Sequence, residues 1–183
     1  LAARIVANDV PNSLKERRVL ALDLPNHGGS PWTGDAGYRA MASAVAGLMA
    51  GEGIAGADIM GHSMGGKTAM ALALERPDLV RRLVVVDIPP VAYDHSRTPE
   101  IDAMLALPLA QIAARGDADE LLAAAIEGAP LRAFLLTNLG RGAGGFEWRI
   151  NLAGLKAALP ELHGFPFDPG ERVFKRLTLF VAG

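Results

Sequence analysis

The chain has no cysteine among its 183 residues. Disulfide bridges, thiolate metal ligands and a cysteine nucleophile are therefore excluded together. Aromatic residues make up only 5% of the sequence, and the formal net charge is −2 at pH 7. A net charge this small favours neither nucleic acid nor an anionic membrane as a partner. The lack of cysteine fits an intracellular protein, and we expect a cytoplasmic location.

Long hydrophobic runs are also missing from the sequence. The longest uncharged apolar stretch, residues 40–51, is much shorter than the run of about 18 residues that a membrane-spanning helix needs. Half of the residues are nevertheless apolar. The composition therefore predicts one domain, with or without an inserted subdomain, that buries a full hydrophobic core and has no membrane span.

A glycine-rich turn stands between an apolar run and a segment rich in alanine and leucine. Its residues Gly61, Ser63 and Gly65 match G-x-S-x-G, the nucleophile elbow, in which a serine occupies a strained turn between a strand and a helix. We expect a Cβ at either glycine to collide with the neighbouring strand or with the first helical turn. The amide of Met64 is then the natural donor to an oxyanion formed on a carbonyl that Ser63 attacks.

The same stretch has a second interpretation. Gly61, Gly66, Lys67 and Thr68 match G-x-x-x-x-G-K-[ST], the phosphate-binding P-loop. Asp87 ends an apolar run and could then be a magnesium-binding aspartate. Both interpretations predict a strand, a loop and a helix, so the rest of the chain has to distinguish a hydrolase from a nucleotide-binding protein.

Strand and helix patterns alternate along the first half of the chain. Continuous apolar runs predict buried parallel strands, and the segments between them have helical spacing. This alternation predicts a three-layer α/β fold around a parallel sheet. The predicted elements are a helix in 1–10, strands at 18–24, 57–62, 83–87 and 177–182, and helices at 37–50 and 65–76.

Residues 98–163 interrupt the alternation because they carry only helical patterns, with Asp117 as a predicted cap of one helix. This is too much helix for one crossover between parallel strands. We therefore predict a helical cap over the carboxyl edge of the sheet, where open α/β sheets bind their ligands. The predicted division is a core of residues 1–97 and 168–183 and a cap of residues 98–167.

Three motifs and the cap together resemble the α/β-hydrolase-fold serine esterases, in particular the capped group that cleaves short acyl esters and thioesters. The motifs occupy residues 20–30, 60–67 and 84–90, and residues 146–152 and 159–166 are similar to the cap of that group in order and spacing. A P-loop protein has no reason to carry Asp-x-x-x-His-Gly-x-Ser before its glycine-rich loop. The resemblance implies a carboxylic ester hydrolase that acts through an acyl-enzyme on a small-molecule ester, without a cofactor or a metal ion.

The resemblance also implies roles for individual residues. Ser63 would be the nucleophile and Met64 an oxyanion donor. Asp87 would hold the tautomer of the catalytic histidine, although many α/β hydrolases take this acid from one strand later. In this interpretation Lys67 and Thr68 are ordinary residues of the first helical turn, the first solvated and the second packed.

The catalytic histidine is expected beyond residue 183 and the second oxyanion donor before residue 1, so we expect the chain on its own to be inactive. His27 and His62 precede Asp87, and we expect them to order the loops around the elbow. His95 and His163 follow Asp87 but flank the cap. A third interpretation is a catalytically inactive binding module of the same fold.

Large apolar residues in the cap have two possible roles. Phe146 and Trp148, with Met104 and Phe134, could line an acyl pocket. They could equally pack the cap against the sheet. The sequence leaves both roles open.

Overall fold

The first half of the protein alternates strands and helices, as the apolar pattern predicts. The computed structural model describes residues 2–5, 18–93 and 99–182. In this half the elements are β1 (Ala2–Ile5), β2 (Leu20–Asp23), α1 (Tyr38–Gly51), β3 (Ala57–His62), α2 (Met64–Glu75) and β4 (Val80–Val86). The predicted strands and helices between residues 18 and 87 are confirmed, with ends that differ by a few residues.

The prediction of a helix in residues 1–10 is wrong for the part that the structure describes. Ala2–Ile5 form β1, which pairs antiparallel with β2, so that Ala2 is opposite Asp23 and Ile5 is opposite Leu20. Helix propensity over so few residues is weak, and hydrogen bonding to a neighbouring strand overrides it.

The second half is mostly helical but contains a β-hairpin. Its elements are α3 (Pro99–Ala106), a 3₁₀ turn (Leu109–Gln111), α4 (Arg115–Ala123), α5 (Ala129–Leu136), β5 (Leu139–Gly142), β6 (Gly145–Trp148), α6 (Leu152–Ala157), α7 (Leu159–His163) and β7 (Thr178–Val181). β5 and β6 pair antiparallel, with Leu139 opposite Trp148. The prediction of helices alone is therefore wrong, whereas the strand predicted at 177–182 is confirmed.

Asp117 is predicted to begin α4 as its cap, but the N-cap is Ala114 and Asp117 lies inside the first turn. The Asp117 carboxylate accepts hydrogen bonds from the amides of Ala113 and Ala114, each at 2.9 Å. These two bonds stabilise the ionised form and lower the pKa of Asp117. Asp117 thus satisfies amides that the helix leaves without partners.

The parallel sheet has the order β3-β4-β7. His62 at the end of β3 is opposite Val86 of β4, and Val86 is opposite Val181 of β7. The carboxyl ends of the three strands therefore meet at one edge. β2 and β3 lie in separate sheets, and no strand in the described ranges pairs with the second edge of β3.

The hydrophobic core lies around α2, which contacts α1, β3 and β4. Its members are mostly aliphatic and methionine side chains from these elements and from residues 99–167, the segment called the cap below, among them Met41, Val45, Met70, Leu72, Val80, Val85, Met104 and Leu122. Because cap and sheet residues belong to one buried cluster, they pack together directly. The division at residues 97/98 and 167/168 stays a prediction.

No helix in the described ranges is long and apolar enough to cross a bilayer.

Candidate active site

Ser63 connects β3 to α2 in a backbone conformation that is rare for a residue with a side chain, with φ 51° and ψ −120°. Such a conformation costs about 1–3 kcal/mol and persists only where neighbouring structure enforces it. Here the Ser63 amide donates to the Val86 carbonyl at 3.0 Å. The Ser63 carbonyl accepts from the amides of Gly66 and Lys67 at 2.8 and 3.1 Å. The strand and the helix thus fix the turn from both sides, and Ser63 is exposed at its apex.

The turn requires glycine at positions 61 and 66, whereas the sequence pattern predicts positions 61 and 65. A Cβ on Gly61 would lie 2.1 Å from the Gly65 carbonyl oxygen, and a Cβ on Gly66 would lie 2.5 Å from Cγ2 of Ile88. A Cβ on Gly65 would have no atom of the described residues within 4 Å. The predicted steric need is confirmed at Gly61 and wrong at Gly65, since the second crowded glycine is Gly66.

Gly61→Ala is expected to destabilise the protein by about 1–3 kcal/mol, because the new methyl group meets backbone atoms that cannot move without distorting the turn. Gly65→Ala is the matched control, and we expect it to be neutral or stabilising since alanine suits a helical position better than glycine. Thermal unfolding followed by circular dichroism measures both. Equal melting temperatures for the two variants would contradict the steric account.

Asp87 follows β4 in the same way that Ser63 follows β3. Neighbouring strands lie about 5 Å apart, and the pairing of His62 with Val86 brings the next residues, Ser63 and Asp87, to the same edge of the sheet. Asp87 has φ 55°, and its amide donates to the Val181 carbonyl at 2.8 Å. Its side chain is exposed, so the carboxylate is available to a further group at this edge.

Met64 begins α2, as predicted for a residue whose amide could bind an oxyanion. The first turn of α2 contains no acidic residue. The positive end of the helix dipole is therefore not neutralised by a carboxylate of its own helix, and it favours an anion beside Ser63.

Lys67 is not solvated, contrary to the expectation: it is 1% exposed. Its Nζ donates to the carbonyl oxygens of Gly164 at 2.6 Å and His163 at 3.3 Å. A P-loop lysine has to reach phosphates held in the glycine-rich loop. Because this ammonium group is bound to cap carbonyls instead, the P-loop interpretation is not favoured. Thr68 is buried as expected, and its Oγ1 donates to the Met64 carbonyl at 3.0 Å.

A cavity of about 700 Å³ lies between the end of β2, the start of α2 and the cap. Met64, the residue after Ser63, forms part of its wall, whereas Ser63 itself does not line it. The other lining residues come from the segment after β2 and from the cap: Leu22, Asp23, Leu24, His27, Gly28, Gly29, Thr137, Asn138, Glu147 and Arg149. The cap side of the cavity is therefore polar.

Phe146 and Trp148 do not line this cavity, and both are partly buried against the core. Glu147 and Arg149 line it instead. Successive side chains of a strand point to opposite faces of the sheet. Alternation through residues 146–149 therefore puts Glu147 and Arg149 on one face and Phe146 and Trp148 on the other. The substrate-binding role of Phe146 and Trp148 stays a prediction.

The loop after β2 is built around the predicted Asp-x-x-x-His-Gly motif. Gly28 has φ 55°, and a Cβ there would lie 2.3 Å from Oδ2 of Asp23. The same oxygen accepts from the Gly29 amide at 3.0 Å. His27 Nδ1 lies 2.9 Å from the Pro25 carbonyl oxygen, and it must donate because a carbonyl can only accept. His27 thus orders its own loop, as expected.

Asn26 joins this loop to the cap. It is fully buried, and its Oδ1 accepts from the Thr33 amide at 2.9 Å and from Nδ2 of Asn151 at 3.0 Å. Backbone bonds run alongside, from the Asn151 amide to the Asn26 carbonyl at 2.9 Å and from the Gly28 amide to the Arg149 carbonyl at 2.7 Å. One wall of the cavity is therefore attached directly to the other.

The remaining histidines have different positions. His62 is exposed at the end of β3, and His163 ends α7, where its carbonyl accepts from the Tyr93 amide at 2.8 Å. Neither lines the cavity. His95 lies outside the described residues. In the described ranges no three histidine, aspartate or glutamate side chains come together in a group that could hold a metal ion.

Comparison with known proteins identifies relatives along nearly the whole chain. A family model described as "alpha/beta hydrolase fold" matches residues 4–140. The chain is 44% identical over 177 residues to sn-1-specific diacylglycerol lipase ABHD11 of Mus musculus, covering 91% of this chain and 56% of that protein. It is 31% identical over 180 residues to Esterase YbfF of Escherichia coli, covering 98% of this chain and 67% of that protein.

A solved structure gives the same result. A marine microorganism esterase superposes with a TM-score of 0.86 at 30% sequence identity, covering 94% of this chain and 69% of that one. The chain spans about half the length of the vertebrate relatives that it matches, 56% of the mouse protein and 50% of the Xenopus laevis protein.

Proposed function

Because the chain belongs to the α/β-hydrolase fold family, we propose that it carries the nucleophile and the acid of a serine esterase or thioesterase for small to medium acyl esters. The observation that carries the proposal is the conformation of Ser63. A serine with φ 51° at the start of a helix, followed directly by a residue that lines a cavity, has the geometry that presents a hydroxyl to a bound carbonyl.

In the proposed mechanism Ser63 Oγ attacks the carbonyl carbon of the ester, and a histidine takes the hydroxyl proton. The Met64 amide stabilises the negative charge on the carbonyl oxygen. Collapse of the tetrahedral intermediate expels the alcohol, which receives the proton from the histidine, and leaves the acyl group on Ser63. Water, activated by the same histidine, then attacks the acyl-enzyme, and the acid leaves.

Asp87 is proposed to orient that histidine and to stabilise its protonated form. The support is the shared sheet edge of Ser63 and Asp87 and the exposure of the Asp87 carboxylate. We place the histidine and the second oxyanion donor outside residues 1–183. This fits the partial coverage of the relatives and the positions of His27, His62 and His163.

The substrate is proposed to bind between Met64 and the cap, taken as residues 98–167. The names of the relatives, a diacylglycerol lipase and an esterase, support an ester. Glu147 and Arg149 give the cap side of the cavity hydrogen-bonding groups, so we expect the bound ester to carry polar atoms near its scissile bond. We further propose a cytoplasmic protein without a nucleic-acid partner, supported by the lack of cysteine and the net charge near zero.

A fluorophosphonate probe applied to the full-length gene product tests the proposal, because such probes react with activated serines. We expect mass spectrometry to find the label on the peptide that contains Ser63, and prior heat denaturation to prevent labelling. Magnesium ATP should neither bind nor protect. Labelling elsewhere, or none with a correctly folded protein, would favour a catalytically inactive binding module.

A further inference from the structure

Lys67 is the largest fully buried side chain in the described part of the protein. Its Nζ lies 4.8 Å from the centre of the Tyr93 ring and 5.5 Å from that of Tyr38. Both distances are within the range of cation–π attraction, about 6 Å. No described carboxylate forms an ion pair with it, so carbonyl oxygens and aromatic faces are the groups observed around this charge.

The carbonyl oxygens around Lys67 belong to the end of α7. Gly164 and His163 accept from Lys67 Nζ, and Leu162 accepts from the Tyr38 hydroxyl at 2.7 Å. The last carbonyls of a helix have no partner within the helix. Three consecutive carbonyls at the end of α7 are thus bound by side chains of α1 and α2.

Lys67 also belongs to the turn that holds Ser63. Its amide donates to the Ser63 carbonyl at 3.1 Å, while its side chain binds the cap. The other end of the same cap segment, at Arg149 and Asn151, is bound to the loop after β2. Residues 149–164 are therefore attached at both ends to elements that surround the candidate active site.

Stability alone does not explain a lysine here. Burial lowers the pKa of Lys67, which means that its surroundings favour the charged form less than water does. Burying a charge is costly unless it is both paired and hydrogen-bonded, and Lys67 has hydrogen bonds but no carboxylate partner among the described residues. A role in geometry accounts for the lysine better than a contribution to the free energy of unfolding.

We propose that Lys67 is a positioning residue, whose ammonium group holds the end of α7 against α2, the helix that follows Ser63. This contact fixes the position of the cap over the cavity. The position of the cap in turn sets the size of acyl group that the cavity accepts. The part that concerns acyl groups rests on the proposed function. The part that concerns the cap does not.

Lys67→Met tests the proposal, because it keeps most of the side-chain volume and removes the charge and the donor. In the full-length gene product we expect KM for p-nitrophenyl butyrate to rise about tenfold while kcat stays within about threefold, and the preference between acetate and butyrate esters to weaken. The control is Lys156→Met on α6, whose exposed ammonium pairs with Asp102 at 2.7 Å. We expect it to change KM by less than about twofold.

Hydrogen exchange gives a readout that does not depend on activity. Lys67→Met should increase amide exchange in α7 at least about tenfold and leave α2 unchanged, whereas Lys156→Met should leave α7 unchanged. If Lys67→Met does not fold, Tyr38→Phe carries the test, since it removes the bond to Leu162 and should raise both KM and α7 exchange. Unchanged exchange in α7 overturns the proposal.

The two proposals fail separately. A wild-type protein that hydrolyses no ester would refute the proposed function, and exchange in α7 would still decide whether Lys67 holds the cap. A wild-type esterase whose Lys67→Met variant keeps its KM and its acyl preference would overturn the role of Lys67 alone. A fall in kcat with unchanged KM also counts against positioning of the cap.

Discussion

Ser63→Ala is expected to reduce hydrolysis of p-nitrophenyl butyrate by the full-length gene product at least about 10³-fold. The reason is chemical: without Oγ no acyl-enzyme can form, and the Met64 amide alone cannot supply the missing nucleophile. Stopped-flow or plate-reader release of p-nitrophenol measures the loss. Fluorophosphonate labelling of the same variant should disappear with it.

Ser43→Ala is the matched control for this experiment. Ser43 is an exposed serine on α1, so removing its hydroxyl should change neither the turnover nor the fold measurably. If Ser63→Ala keeps more than about a tenth of the wild-type rate, another group is the nucleophile and the proposed acyl-enzyme is wrong.

Asp87→Asn should lower kcat by about 10³- to 10⁴-fold with little change in KM. An amide of nearly the same size preserves the turn after β4 but cannot hold the histidine in its reactive tautomer or stabilise its positive charge. Steady-state kinetics of the full-length variant separates kcat from KM. Labelling of Ser63 should slow in proportion to kcat.

Asp78→Asn provides the control at the opposite end of the same strand. Asp78 is exposed just before β4 and pairs with Arg76 at 2.7 Å. We expect this change to alter kcat by less than about threefold, since it lies at the amino edge of the sheet. A loss below about tenfold for Asp87→Asn would mean that the acid follows a different strand.

The sequence was informative where local pattern determines structure. The apolar runs of β3 and β4 are buried-strand patterns, and G-x-S-x-G encodes a turn whose geometry depends on adjacent residues, so the position of Ser63 between β3 and α2 was predictable. The role of Gly65 was not, because steric need depends on which atoms face a position across space. The crowded neighbour, Ile88, is distant in sequence and identifies Gly66 instead.

The cap was harder to predict for the same physical reason. Lys67 lies in the first turn of the apolar helix α2, and nothing next to it in sequence indicates that a carbonyl as distant as that of Gly164 accepts from its ammonium group. The β5-β6 hairpin did have a local signal, since Ala143 and Gly144 form the short glycine-rich connection typical of hairpins. Alternation of side chains along this hairpin separates Glu147 and Arg149, which line the cavity, from Phe146 and Trp148.

The positive φ of Ser63 has a consequence for evolution. A glycine would adopt this conformation without strain, whereas serine carries a cost of about 1–3 kcal/mol, a large part of the margin by which a typical domain is stable. Selection for stability and selection for a reactive hydroxyl therefore act in opposite directions at this position. A lineage that no longer needed the hydroxyl would be free to replace it, so the residue at position 63 records whether activity is still under selection.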